Sequence, residues 1–504
     1  MWELISSKEQ KQYQIIEHLY YAEETQTIED LTKITGASRR STVDDLKEVR
    51  KHVEAAGGVL HTNNDGLEIR LPRHYCIDYF QNQLIQRALG FNLLELLFFH
   101  TKLSAKQLED RLYLSTSSLN RRVQAANSAM REFGLSIQTN PYTIQGDEYL
   151  IRRFFTTYFI EAYGYEYWPF ESVDFEEVSA IMDSLTALSS IKFETVNFHR
   201  FKVFTAVSLI RERKGFDIYN SKLNESPIDT SELLKVTKHV DRWLSTLHLP
   251  KDKHAEYTKL YTYYMFYYFK SYTDKPLSFF NQHAALKFME DLEKIASNFQ
   301  LPKIDFSQLS EKIDEMLFNY SKIPYKRALD NYLLFPSRDL SLVGFYKWNY
   351  PLFYDQLNQV LKTMYLDYEL SEQNVNVQTL LSTVLNRWDQ LTLHLYENYS
   401  VCRLLVYSPI SLRHANNLAS MLRSKLERAC TVEVFSGTRL TKKQLSSYEF
   451  DILVTATTPK INISQPVIAM HRKLSGHHMA PLVKEIDRIM DMNRSKSRYT
   501  FNEI

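Results

Sequence analysis

The sequence predicts a mainly α, multidomain chain with tandem winged helix-turn-helix units at the N-terminus, two all-α bundles in the middle and a small α/β domain at the C-terminus. Three observations carry this. A segment near the start repeats without a gap, apolar residues recur every three or four positions through the middle, and after Ser400 the pattern becomes that of short buried strands. The 504 residues are too many for one hydrophobic core. Twelve glycines against 33 tyrosines and 29 phenylalanines favour long helices packed through rings over a sandwich or barrel.

The repeat has an offset of 77 positions, placing Asp30 on Gln107. "DLTKITGASRRSTVDDL" (Asp30–Leu46) then falls on "QLEDRLYLSTSSLNRRV" (Gln107–Val123), with Leu31 on Leu108, Ala37 on Leu114, Ser38 on Ser115 and Leu46 on Val123. The register continues, because "GGVLHTN" from Gly57 falls on "GLSIQTN" from Gly134. Ser38 and Ser115 are placed to cap a second helix, and Gly57 and Gly134 to end it. A short strand, a turn ("NNDG" or "TNPY") and a return strand ("LEIRL" or "TIQG") follow in each copy. Helix, turn, helix, hairpin is a winged helix-turn-helix; the alternative, two plain helical hairpins, does not account for the matched wings.

The two second helices differ in charge. The downstream one offers Ser115, Thr116, Ser117, Ser118, Asn120, Arg121 and Arg122 with no acid before Glu132. Hydroxyls, amides and guanidinia are the groups that reach phosphates and base edges in a major groove. The upstream one offers Arg39, Arg40, Ser41 and Thr42, but then Asp44 and Asp45, which repel phosphates unless they face away or read a cytosine amine. The expected partner is double-stranded DNA, held mainly by the second copy. A net charge of +1 excludes a uniformly basic polyanion binder while leaving room for one basic face.

Residues from about 174 to 398 read as helices in two halves joined near "FQLPKIDF" (Phe299–Phe306). Beyond them "RLLVYSP", "CTVEVFSG", "FDILVTATTP" and "PVIAMH" read as strands, with helices "SLRHANNLASMLRSKLERA" and "TKKQLSSYE" between. Such alternation predicts a small parallel sheet. The expected boundaries are 1–74 and 75–172 for the winged helices (the second with a connecting helix), 173–298 and 299–399 for the bundles, 400–492 for the α/β domain and 493–504 for a polar tail.

This order resembles the Mga/AtxA family of transcriptional regulators of Gram-positive bacteria, which govern virulence and respond to sugars. "IQGDEYLIRRFF" (Ile144–Phe155) looks like the family's passage from the second wing into the first bundle. The resemblance implies that the bundles are PTS regulation domains (PRDs), phosphorylated on histidine by the phosphotransferase system. It also implies that the α/β domain is similar to enzyme IIB and makes a homodimer. In "NFHRFKVFTAVSLIRERKG" (Asn197–Gly215), His199 and Arg211 match the PRD histidine and the arginine about twelve positions on. An imidazole can accept a phosphoryl group and a guanidinium can hold it, although a packing histidine fits the same pattern. His254, His283 and His394 are weaker candidates, and "KLYTYYMFYYF" has tyrosines where a second PRD histidine is expected. A phospho-carrier protein of that system is the second partner implied.

Departures from the pattern bound the function. A working IIB has a nucleophilic cysteine just after its first strand, but here that loop is "SPISLRH", and Cys402 and Cys430 read as packing residues. No G-x-G-x-x-G, P-loop or H-E-x-x-H is present, so neither an enzyme nor a cofactor is expected. His471, His477 and His478 read as a solvated loop rather than a metal site. Three separated cysteines, including Cys76, form no disulfide framework; with no signal peptide and no membrane span in the sequence, a cytoplasmic protein is expected. The alternatives are an RNA-binding antiterminator with PRDs, and a phosphotransfer protein.

Overall fold

In a computed structural model the described residues are 1–176 (except 23, 64, 65 and 166), 178–179, 198–216, 279–302, 305–399 (except 324 and 337), 402–426, 430–459 (except 438 and 439), 461–470 and 476–497. The chain forms two compact units. One comprises Met1–Pro276, Leu317–Ser337 and Leu370–Asn376; the other comprises Leu277–Met316, Arg338–Glu369 and Val377–Ile504.

The first unit opens with α1 (Ser7–Tyr21), α2 (Ile28–Thr35), α3 (Arg39–Ala55) and a hairpin of β1 (Val59–Asn63) and β2 (Gly66–Arg70). Next come α4 (Ile77–Arg87) and α5 (Leu89–Phe99). The second copy is α6 (Ala105–Leu112), α7 (Thr116–Met130) and the hairpin of β3 (Ser136–Gln138) and β4 (Thr143–Gln145). Both copies are helix, turn, helix, hairpin, as the repeat predicts. Leu31 and Leu108 are fully buried, and Leu46 and Val123 face inward at the same offset. Removing a side chain of that size from water is worth about 1.5–3 kcal/mol, which accounts for a gap-free register at these positions.

The likeness extends past the matched stretch. Thr27 and Ser104, again 77 apart, each close a capping box, with Asp30 and Gln107 respectively. The preceding residues, Gln26 and Leu103, make single antiparallel bridges to Leu67 and Tyr142, tying each hairpin to the start of its helix-turn-helix. Ser38 and Ser115 cap α3 and α7 by accepting from Ser41 N and Ser118 N, both at 3.3 Å.

The copies are anchored differently. The first has its own core, built on Ile15, Ile16, Leu31, Val49, Val53 and Leu60. The second shares one continuous core with α8 (Glu148–Tyr163) and α9 (Phe198–Arg213), through Phe98, Phe133, Phe154, Phe155, Phe159 and Phe204. A strap of irregular chain, 325–335, is bound to the same body. Glu161 accepts from Leu333 N (2.6 Å) and Leu334 N (3.0 Å), and Arg153 donates to the carbonyls of Ala328 (3.3 Å) and Leu329 (2.9 Å). Gly134 meets two demands here. Its φ is 73°, and a β-carbon there would collide with the Tyr325 ring of the strap.

In the second unit, α10 (Gln282–Asn298), α11 (Ser307–Lys322, whose first ten residues lie here), α12 (Arg338–Asn349), α13 (Pro351–Leu366), α14 (Val377–Arg387) and α15 (Leu391–Tyr399) precede the sheet. Phe299, Phe306, Phe353 and Trp388 meet edge to face at 5.0–5.6 Å. The sheet is parallel in the order β6 (Cys430–Val434), β5 (Cys402–Tyr407), β7 (Ile452–Thr455), β8 (Val467–Ala469). Between β5 and β6 runs α16 (Leu412–Leu426), and between β6 and β7 the short α17 (Lys442–Leu445). Strand alternation sends Leu404 and Val406 to one face, with α16, and Leu405 to the other, with Phe435 and Leu445. A last helix, α18 (Gly476–Ser497), corrects two expectations. His477 and His478 lie in its first turn, not in a loop, and the start of the polar tail is helical. His471 lies outside the described residues.

Candidate nucleic-acid interface

The first turn of α7 presents Thr116 and Ser117 to solvent, with Ser118 half-buried and Leu119 fully buried beneath them. Ser115, Ser117 and Ser118 form a hydroxyl chain, Ser115 Oγ donating to Ser118 Oγ at 3.0 Å and lying 3.2 Å from Ser117 Oγ. One turn on, Asn120 and Arg121 are exposed and Arg122 is half-buried. Arg121 Nη2 donates to Ser118 Oγ at 3.3 Å, and neither arginine has an ion-pair partner among the described residues. No carboxylate occurs between Thr116 and Met130. All seven residues read from the sequence therefore sit on one end of one helix, beside the turn that separates it from α6.

The first copy is arranged otherwise. Arg39 and Arg40 are exposed, but Arg39 Nη1 pairs with Glu29 on α2. Thr42 is buried, its hydroxyl donating to Ser38 O at 3.1 Å, so it is not on the presented face. Ser41 is exposed. The two carboxylates separate. Asp45 is buried and accepts from Gln12 Nε2 at 3.1 Å, facing away from solvent, while Asp44 stays exposed and pairs with Lys47 at 2.7 Å. That lysine holds the Asp44 carboxyl below its ordinary range, so the negative charge persists on this face.

Comparison with known proteins bears on this region directly. Residues 77–159, which run from α4 through α7 into α8, match the Mga helix-turn-helix domain. A trans-acting regulator of Streptococcus pneumoniae is 22% identical over 469 residues, covering 90% of this chain and 92% of that protein. The anthrax toxin expression trans-acting positive regulator of Bacillus anthracis is 18% identical, covering 92% and 94%. The capsule synthesis positive regulator AcpB of the same organism is 22% identical over 45% of this chain and 47% of its own. The chain is thus similar along nearly its whole length to trans-acting regulators, and its residues 77–159 match the Mga helix-turn-helix domain. It is a transcriptional regulator and not an enzyme, and among the described residues no helix is long and apolar enough to cross a membrane.

The histidine and arginine that the sequence resemblance singles out both lie on α9, and the structure does not bring them together. His199 and Arg211 stand twelve positions apart on one helix, about 18 Å at 1.5 Å per residue. His199 is half-buried, its Nε2 3.1 Å from Gly164 O and its ring 4.8 Å from Tyr165. Arg211 is 1% exposed and committed elsewhere. Its Nε and Nη2 donate to Glu148 at 3.0 and 2.5 Å, and its guanidinium lies 3.8 Å from the Phe216 ring centroid. Glu148 also accepts from Arg152, which reaches Glu212, so four charges lock α8 to α9. Sequence spacing cannot reveal this, because Arg211 finds its carboxylate 63 positions upstream.

His283 is exposed near the start of α10, His394 is half-buried on α15, and His254 and "KLYTYYMFYYF" lie outside the described residues. Cys402 and Cys430 are both buried and stand opposite each other at the start of neighbouring strands. The hydrogen bond with the neighbouring Cys430 thiol, and then burial, push the Cys402 thiol well above its ordinary range. Ser408, in the loop after β5, has its Oγ 3.0 Å from Nδ1 of His414 in the first turn of α16.

Proposed function

We infer that this regulator grips double-stranded DNA chiefly through α7, with Ser115, Thr116, Ser117, Ser118, Asn120, Arg121 and Arg122 facing the major groove. The observation that supports this best is the carboxylate-free, exposed N-terminal half of α7 within the span that matches the Mga helix-turn-helix domain. Arg40 and Ser41 of the first copy are a secondary contact, its Arg39 being occupied by Glu29. Double replacement of Arg121 and Arg122 by alanine should cost about 2–6 kcal/mol of DNA affinity, at about 1–3 each. Fluorescence anisotropy with a labelled promoter fragment measures it, and unchanged affinity would remove α7 from the interface.

The helical regions on either side of residue 299 are read as PRDs and the sheet module as IIB-like, and the protein as cytoplasmic. Control by the phosphotransferase system would act at His199. With Arg211 held by Glu148, a phosphoryl group there would act by breaking the contacts of His199 to Gly164 and Tyr165, not by pairing with Arg211. Loss of labelling by phospho-carrier protein in His199→Ala would support this; undiminished labelling would move the site to another histidine.

A homodimer built by the sheet module completes the reading. On α16, Leu418 and Leu422 face their own sheet, whereas Leu412 (53%) and Met421 (57%) are exposed, and Ile410 (65%) lies just before the helix. Linking two DNA-binding bodies raises effective concentration without new base contacts. Sedimentation of Leu412→Ser/Met421→Ser beside the parent tests it: a shift to monomer is expected, and an unchanged dimer would put the interface elsewhere.

A further inference from the structure

The turn between α6 and α7 holds an aromatic side chain that the fold does not use. Tyr113 ends α6 in the left-handed conformation, φ 53° and ψ 44°, and is 95% exposed. In the first copy the same position, 77 residues upstream, is Gly36, with φ 62° and ψ 16°. A β-carbon disfavours this backbone conformation, which is why glycine is the usual residue there. The first copy shows that glycine makes the same turn. A β-carbon added at Gly36 would meet nothing within 4 Å, so that site too is open. Tyr113 thus carries local strain, buries almost none of its ring, and has no hydrogen bond or ring contact of its side chain among the described residues. Strain retained at an exposed position points to a contact outside the chain.

The place of the residue says which contact. Tyr113 stands two positions before Ser115, the cap of α7, at the end of the helix that carries Thr116, Ser117, Asn120 and Arg121. When the N-terminal end of a recognition helix enters a major groove, the turn before it comes against the sugar-phosphate backbone at the groove's edge. A phenol suits that surface. Its ring covers deoxyribose and its hydroxyl donates to a phosphate oxygen, which positions the protein without reading a base. We propose that Tyr113 is a DNA-backbone contact of the second winged helix that sets the register of α7 in the groove. This rests on the reading of α7 as the main grip.

Because the phenol is uncharged, its loss releases no counterion, so it should weaken binding without changing the salt dependence. The informative variant of the full-length protein is Tyr113→Gly, which copies the turn of the first winged helix at Gly36. Anisotropy titrations over 50–300 mM salt, with promoter and scrambled duplexes, should show roughly a 5–20-fold loss on both DNAs and a parallel salt plot. Thermal stability should be equal or higher, since the strain is relieved. Tyr113→Phe should keep part of the affinity, separating hydroxyl from ring. Arg121→Ala/Arg122→Ala, measured alongside, should lower the salt slope. If Tyr113→Gly binds as tightly as the parent while the double variant does not, Tyr113 is not a DNA contact and the reading of α7 stands. If neither variant loses affinity, that reading fails with it. A change in oligomeric state with DNA affinity intact would also overturn the proposal, by making Tyr113 a protein contact.

Discussion

The two winged helices share a backbone plan and differ in nearly everything that faces outward. In the first, Glu29 occupies Arg39 and an Asp44–Lys47 pair occupies the next turn; in the second, Arg121 and Arg122 have no ion-pair partner among the described residues and no carboxylate on their own helix. The first is packed on a core of its own, and the second shares its core with α8 and α9 and is bound to the strap. Duplication thus preserved capping boxes, core positions and wings while the two surfaces diverged. The copy with the more available cations is also the copy whose core continues into α8 and α9.

Breaking the anchor should give the largest effect. Glu148→Ala leaves Arg211 buried without its carboxylate, and uncompensated buried charge typically costs about 3–5 kcal/mol. A thermal melt should show that loss, and hydrogen exchange should place it in α8 and α9 while α1–α3 keep their protection. Protection lost equally in α1–α3 would mean that the copies are not separately anchored.

The strap offers a second, pH-dependent handle. Burial pushes the Glu161 carboxyl up to about 7, against bonds from Leu333 N and Leu334 N and the charge of Arg327, which pull it down. A raised carboxyl binds its proton more tightly in the folded state. Stability should therefore be greatest on the acid side and fall as pH rises from about 4.5 to about 7, by about 3 kcal/mol. Urea titrations across that range should find the slope, and Glu161→Gln should flatten it. A Gln variant with the parent's pH profile would assign the slope to another group.

Smaller changes sharpen the contrast from the other side. Asp45→Ala leaves Gln12 buried without its acceptor and should destabilise the first copy by about 1–3 kcal/mol, with little change in DNA affinity. Exchange protection in α1 and α3, read beside an affinity titration, checks both halves. Glu29→Gln frees Arg39, and since exposed pairs are worth at most about 1 kcal/mol, DNA affinity should rise only a few-fold. A larger gain would show the first copy to be a held-back grip of equal rank.

The sequence discloses those features whose cause is local or periodic. Leu31 and Leu108, the serine caps and the matched wings were visible because each follows from spacing within one copy. The parallel sheet was visible because its strands are apolar runs separated by turn residues. Features made by distant partners were not. Asp45 faces inward because Gln12 meets it from another helix, and Arg211 is unavailable because Glu148 takes it. The strap has neither period nor regular structure, so nothing in "YKRALDNYLLF" announces that Glu161 and Arg153 bind its backbone. The first turn of α18 read as loop because "SGHHMAP" has no apolar period to announce a helix, and Pro481, a residue that disfavours helix interiors, lies inside the helix that forms.

The claim that the second recognition helix dominates the grip is tested most directly by the salt dependence of DNA affinity in two double variants. Each phosphate-neutralising cation removed lowers the slope of log K against log salt by about one. Arg121→Ala/Arg122→Ala should lower the slope by up to about two and weaken binding strongly. Arg39→Ala/Arg40→Ala should change the slope by less than about one, because Arg39 is already paired with Glu29. An equal or greater change in the Arg39/Arg40 variant would contradict the account and give the grip to the first copy.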